Sequence, residues 1–176
     1  MSDKFNEDRP FIKIGIAVLT VSDTRTFDTD ISGKILTDFV TSMGHNLVDR
    51  KIVIDEEIKI ADQLHLWIEQ EDIDVIISTG GTGITGRDVT PEAVRRVIDL
   101  EIPGFGELFR ILSYQKIGSS TIQSRALAGK AKTTLIFALP GSTGACKDAW
   151  NDILKYQLDN RFGPCNFIEL MPRLGE

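Results

Sequence analysis

The segment from Asp74 to Ala93, DVIISTGGTGITGRDVTPEA, leaves few choices for the backbone around it. Asp74-Val75-Ile76-Ile77-Ser78 is almost unbroken in its apolar character, as expected of a strand covered on both faces in a parallel sheet. Thr79-Gly80-Gly81-Thr82-Gly83-Ile84-Thr85-Gly86 follows, with four glycines interleaved with three threonines. Thr90-Pro91 then reads as a helix start, with Thr90 at the N-cap and Pro91 at N1. Strand, glycine loop and helix N-terminus in that order are how a parallel sheet builds an anion site, because free amides and the helix dipole both favour negative charge.

The rest of the chain supplies the sheet. Residues 1–10 form a polar lead expected to be loose. Ile12 to Val21 (IKIGIAVLTV) reads as the first strand, with a hydroxyl-rich loop, Ser22 to Thr26, at its carboxyl end. Ser32 is placed as the cap of a helix in which Ile35, Leu36, Phe39, Val40 and Met43 share a face. Leu47 to Ile54 is the second strand and ends on Asp55-Glu56-Glu57, ahead of a helix over about 58–71. After the glycine loop the pattern predicts helices over 91–100, broken by Pro103-Gly104, and over 105–114. Ser119-Ser120-Thr121 is placed as the cap of a short helix. Gly129-Lys130 is assigned the turn of a hairpin that adds an antiparallel edge strand before Thr133 to Leu139. Gly141-Ser142-Thr143-Gly144 precedes a last helix over 145–158, and the tail over 162–167 reads as irregular.

This alternation predicts one α/β domain over residues 1–176, in three layers, with a mostly parallel mixed sheet. Ligands in such sheets bind outside the carboxyl ends of the strands. Four polar segments fall there: Ser22 to Thr26, Asp55 to Glu57, Thr79 to Asp88, and Gly141 to Gly144. That coincidence argues for a phosphate-bearing ligand. The net charge of −6, with no basic stripe, argues against nucleic acid or a membrane surface. No apolar run is long enough to span a bilayer, and MSDKFNEDRP is too polar for a signal peptide, so a cytoplasmic protein is expected. Cys146 and Cys165 have neither metal-ligand nor disulfide spacing, and His45 and His65 are expected to be structural.

Gly81-Thr82-Gly83-Ile84-Thr85-Gly86 formally matches the dinucleotide fingerprint. In that fingerprint the helix begins within the glycines after the first strand, whereas here it begins several residues later and after the third. A phosphate-binding P-loop is excluded because Arg87-Asp88 stands where Lys-Ser/Thr is needed. Asp88 is either a carboxylate at a helix start or a ligand of Mg²⁺, and Asp55 carries the same two readings. Ser142 and Thr143 either cap the last helix or hold a second phosphate. Arg25 and Lys147 are candidate phosphate partners. Cys146, on the first turn of the last helix, is expected to serve packing.

Several stretches together resemble a known family, the MoaB and Mog proteins of molybdenum cofactor biosynthesis, with the related gephyrin G domain. They are Ser78-Thr79-Gly80-Gly81-Thr82-Gly83 with Arg87-Asp88-Val89-Thr90-Pro91-Glu92-Ala93, then Leu19 to Arg25, Val53-Ile54-Asp55-Glu56, and Pro140-Gly141-Ser142. The resemblance covers about residues 14–167, and the ending from Pro140 to Phe167 is similar to the MoaB branch. It implies a three-layer α/β/α fold, binding of molybdopterin, and adenylylation of its terminal phosphate with ATP and Mg²⁺. A non-catalytic pterin-binding protein of the same pathway is the second function it allows. By motif match, Asp55 and Asp88 correspond to functional carboxylates that position Mg²⁺ and phosphate. Ser22, Thr24, Arg25, Thr79, Gly80, Gly81, Thr82, Gly83, Gly141 and Ser142 correspond to the phosphate- and pterin-binding positions. A homo-oligomer, trimer or hexamer, and a molybdenum-insertion protein as partner are also implied.

Overall fold

The apolar runs become the strands of one sheet, and the turn residues between them decide where each strand stops. The computed structural model describes residues 4–176. In chain order its elements are β1 (Lys4–Phe5), β2 (Gly15–Val21), α1 (Ile31–Met43), β3 (Asn46–Val53), α2 (Glu57–Ile68), β4 (Val75–Thr79), α3 (Thr90–Val97), β5 (Leu100–Glu101) and α4 (Pro103–Ile117). A 3₁₀ turn (Gly118–Gln123), β6 (Leu127–Ala131), β7 (Thr134–Leu139) and α5 (Thr143–Ala149) follow. The helix continues through a π-turn (Trp150–Leu154) into α6 (Lys155–Gln157), before β8 (Phe162–Gly163) and α7 (Phe167–Leu170).

Six strands form the main sheet in the order β3-β2-β4-β7-β6-β5. The contacts from β3 to β7 are parallel, and β6 and β5 add two antiparallel strands. Along each central strand the side chains alternate between two cores, as a pleat requires. Ile16, Val18, Val75, Ile77, Leu135 and Phe137 face α1, α4 and α5, where they meet Leu36, Val40, Phe109 and Trp150. Ala17, Leu19, Ile76 and Ile136 face α2 and α3, where they meet Leu64, Trp67 and Val94. This is the expected three-layer α/β/α arrangement. Each fully buried large apolar side chain contributes roughly 1.5–3 kcal/mol, so these two cores hold the molecule and leave the strand-end loops free for function.

β3 and β4 lie on opposite sides of β2. The connections leaving β2 and β3 therefore run in opposite directions across the sheet, and a crevice opens at the carboxyl ends of β2 and β4. That is where the glycine loop sits.

Several local expectations are corrected. Thr90 is the first helical residue rather than the cap, and its hydroxyl donates back to the Gly80 carbonyl at 2.9 Å. Ser32 does not cap α1; Asp30 does, accepting from the Gly33 amide at 2.9 Å. Pro103 starts α4 instead of ending a helix, since a missing amide costs nothing at a first turn. Gly129 lies inside β6, and the hairpin turn is Lys132-Thr133, with Lys132 at φ 51°. β6 is then not the edge strand, because Leu100–Glu101 pairs outside it. A two-residue strand carries too little periodicity to be seen in sequence. The lead is also pinned over its described part. Phe5 pairs with Phe162, and Arg9 donates to the Asn160 carbonyl at 2.8 Å and pairs with Glu169. The expectation for residues 1–3 lies outside the described residues. The tail predicted as irregular supplies β8 and α7 to this junction.

Candidate functional site

A cleft of about 680 Å³ opens at the carboxyl ends of β2, β4 and β7. Its floor is backbone. Gly80 leaves β4 at φ 109° and Gly81 follows at φ 63°, conformations that side chains rarely adopt. A Cβ on Gly80 would stand 2.1 Å from the Val21 carbonyl oxygen, so β2 and β4 approach this closely only because position 80 is glycine. The turn 79–83 thereby presents main chain to the cleft. The turn after β7 lies alongside it, where the Ser32 hydroxyl donates to the Gly141 carbonyl at 3.0 Å and Ser142 Oγ accepts the Ala145 amide at 3.2 Å. Ser142 is thus a helix cap and a wall of the cleft at once.

Ser22, Arg25, Asp55, Thr79, Gly80, Gly81, Thr82, Gly83, Asp88, Gly141 and Ser142, all expected from sequence, line this one cleft. Thr24 and Lys147 do not line it. Thr24 donates its amide to Ser22 Oγ at 3.3 Å on an exposed turn, and Lys147 is exposed on α5. The Thr79 hydroxyl also makes a contact within the fold. It is buried and donates to the Pro140 carbonyl at 3.0 Å, tying β4 to the end of β7.

The two aspartates differ. Asp88 Oδ2 accepts from both the amide and the hydroxyl of Thr85, at 2.9 and 2.6 Å. Burial pushes its carboxyl up, but the Thr85 and Gly83 donors outweigh this and hold it below the usual carboxylate range. Asp55 lies on the cleft wall, one oxygen 2.9 Å from where a Cβ on Gly81 would be, and it forms no ion pair among the described residues. Burial and the neighbouring charge of Asp23 push its carboxyl above the ordinary value, against the pull of Arg87. A carboxylate in that environment gains from a nearby cation. Among the described residues no three His, Cys, Asp or Glu side chains converge into a closed metal centre. The donor set suits Mg²⁺, which keeps waters and takes one or two carboxylates plus phosphate oxygens.

Three features escaped the sequence reading. Arg125, at the entry to β6, braces the glycine loop. Its Nε donates to the Gly83 carbonyl at 2.6 Å, and its other nitrogens reach the Asp88 carbonyl and the Glu92 carboxylate. Its own amide donates to the Thr82 carbonyl at 3.0 Å. Asp30, buried under the cleft, takes hydrogen bonds from Thr20 at 2.6 Å, Arg50 at 2.8 Å and the Gly33 amide. Burial pushes its carboxyl up, and these donors outweigh it to hold the group low. The far wall comes from α4 and the following 3₁₀ turn, with Phe109, Ser113, Thr121 and Gln123. In sequence Phe109 is only an apolar residue of a helix, because no local pattern marks a contact made across the fold.

Cys146 is buried, with its thiol pushed up to about 11 by burial, which agrees with a packing role. His45 is also structural: it is buried, and its Nε2 pairs with the Leu158 carbonyl at 2.9 Å. No described helix is long and apolar enough to cross a membrane.

With this geometry in view, the comparisons with known proteins agree. Residues 17–160 match the family described as "probable molybdopterin binding domain". Molybdenum cofactor biosynthesis protein B of Escherichia coli (strain K12) is 50% identical over 157 residues, 89% of this chain and 92% of that protein. A crystal structure of a molybdenum cofactor biosynthesis protein B superposes with a TM-score of 0.85 at 38% identity, covering 94% of this chain and 98% of the other. The tungsten cofactor synthesizing protein MoaB of Pyrococcus furiosus gives 0.75 at 31% identity, covering 93% and 98%. The family match spans most of the chain, takes in the sheet, the glycine loop and the cleft, and coincides with the resemblance seen in the sequence; this chain belongs to the MoaB/Mog family of molybdopterin-binding domains.

Proposed function

We propose that this chain acts in molybdenum cofactor biosynthesis, binding molybdopterin in the cleft and adenylylating its terminal phosphate with Mg·ATP. The observation that carries this reading is the convergence of the 79–83 turn, Ser22, the Gly141-Ser142 turn and an ion-pair-free Asp55 on one cleft. Main-chain amides and hydroxyls suit phosphate, and no nucleophilic Cys or general-base His lines the site.

The transfer needs neither. A phosphate monoester is already anionic near neutral pH, so one of its oxygens attacks the α-phosphorus of ATP directly. A new P–O bond forms, the bond from the α-phosphorus to the β-bridging oxygen breaks, and pyrophosphate leaves with that electron pair. Positioning and charge neutralisation then supply the catalysis. The 79–83 turn and the Gly141-Ser142 turn would orient the two phosphate groups. Asp55 and Asp88 would hold Mg²⁺, while Asp88 also keeps the loop closed on Thr85. The bound cation would neutralise charge on the phosphates.

Incubation with molybdopterin and Mg·ATP tests the reading, with pyrophosphate and adenylylated pterin as the expected products. Asp55→Asn is expected to lower turnover by about 10²–10³-fold, the usual cost of removing one transition-state electrostatic contact. Pterin binding without product would overturn the transferase and leave the second reading, a non-catalytic pterin-binding protein. One observation favours that second reading: the Asp88 carboxylate is already engaged by Thr85. We also propose a homo-oligomer, trimer or hexamer, in the cytoplasm. A monomer by light scattering would overturn the assembly.

A further inference from the structure

Charge poses a problem at this cleft. Its charged lining consists of the guanidinium groups of Arg25 and Arg87 and the carboxylates of Asp30, Asp55 and Asp88. Asp30 is neutralised by Arg50, which leaves two cations against two anions at a site that has to take a polyphosphate. Of the two cations, Arg25 forms no ion pair among the described residues and donates to the Thr29 carbonyl at 3.2 Å. Arg87 is different. Its Nε donates to Asp23 Oδ2 at 3.1 Å and its Nη2 closes on the same oxygen, although Asp23 does not line the cleft.

The Asp23–Arg87 pair therefore spans the mouth, from the loop after β2 to the loop after β4. Both side chains are exposed, at 41% and 62%. An exposed pair of this kind is screened by solvent and adds little stability, so a polyanion offering several oxygens competes with one carboxylate for the guanidinium. The second oxygen of Asp23, Oδ1, accepts the Asp55 amide at 3.1 Å. Asp23 thus does two separable things: one oxygen sets the backbone at Asp55 and the other holds the arginine.

We propose that Arg87 is a phosphate-binding residue held in reserve by Asp23, exchanging its carboxylate partner for the polyphosphate of the nucleotide when that ligand enters the cleft. This rests on the nucleotide reading of the cleft. It assigns Asp23 the role of a competitor whose removal strengthens anion binding, the opposite of what a structural brace would do.

Asp23→Asn separates the two. The asparagine oxygen still accepts the Asp55 amide, while its NH₂ group cannot pair with a guanidinium. Binding of inorganic pyrophosphate is measured by calorimetry for the wild type, Asp23→Asn, Arg87→Ala and the double variant. Arg87→Ala is expected to weaken binding about tenfold, as loss of a charge-assisted contact does. Asp23→Asn is expected to tighten it about threefold, and that gain is expected to vanish in the Arg87→Ala background, because the two residues are coupled. Weaker binding by Asp23→Asn would overturn the proposal. A gain that persists without Arg87 would also overturn it, since it would report only the removal of a negative charge. A wild type that binds no pyrophosphate would sink the nucleotide reading itself, which is a distinct outcome from binding without coupling.

Discussion

The two loops that form the mouth of the cleft are built on different principles. The loop after β4, residues 80–88, is fastened along its length. Thr90 donates to the Gly80 carbonyl, Arg125 to the Gly83 and Asp88 carbonyls, and Thr85 to the Asp88 carboxylate. The loop after β2, residues 22–29, is closed mainly on itself, with the Thr26 amide on Thr29 Oγ1 at 2.9 Å and the Arg25 amide on Ser22 Oγ at 3.2 Å. Its ties to the rest of the fold lie at its ends, where the Ser22 amide donates to the Val53 carbonyl at 2.8 Å and Asp23 meets the Asp55 amide and Arg87, and at buried Asp30. The first loop is braced along its length, from Arg125 among others, while the middle of the second is held mainly by its own turn.

Breaking the anchor should have the largest effect. Asp30→Ala removes a carboxylate only 2% exposed at its side chain and strands Arg50, whose Nε already has no partner among the described residues. Losing one member of a buried pair costs about 3–5 kcal/mol, to be read as a fall in the urea midpoint. The pH dependence gives the same contact a sign. The Asp30 carboxyl is held below its unfolded value, so its contribution is fully present above the ordinary aspartate range. It is lost as pH falls through the lower folded value. Asp30→Ala should therefore flatten the acid side of the stability profile. An unchanged acid limb would mean that Asp30 is not the anchor.

Arg125→Ala comes next. It removes the side-chain donors from the rigid loop, at about 1.5–3 kcal/mol for hydrogen bonds to a charged group. Amide exchange within residues 83–88 should accelerate more than the global unfolding rate. If those amides keep their protection, the contrast between a braced and an adjustable loop is broken. The smallest effect is expected from Thr29→Ala, which disturbs only the exposed local turn and should cost less than about 0.5 kcal/mol. A loss as large as that of Arg125→Ala would show that the loop after β2 is also braced.

The site was legible in sequence where short-range chemistry defines it. Glycines 80 and 81, the hydroxyls after each strand and the aspartates after β3 and β4 all announce themselves by position at a strand end. The illegible part came from separation along the chain. Arg125 reaches the loop from 42 residues beyond Gly83, and nothing near it in sequence distinguishes it from a surface arginine. Asp30 had the same problem in a milder form. Ser32 is an equally good local cap, and only the Thr20 hydroxyl and Arg50, which approach from neighbouring strands, decide between them. The misplacement of the hairpin turn had another cause. Gly129 looks like a turn residue, yet it serves inside β6, where a Cβ would stand 2.7 Å from Ile98. Lys132 takes the left-handed position instead.

By itself the sequence determined the layer architecture, because unbroken apolar strands and amphipathic helices have few other ways to bury those faces. It also determined that a glycine turn would present main chain at a strand end. The tertiary structure decided the order of the strands, and with it which strand ends meet. It also decided that Asp88 spends its carboxylate on Thr85 while Asp55 lines the cleft without an ion pair among the described residues. The physical reason is range. Backbone conformation and burial period are set by neighbours a few residues away, whereas the state of a carboxylate is set by whatever charge or donor the fold brings within a few ångströms.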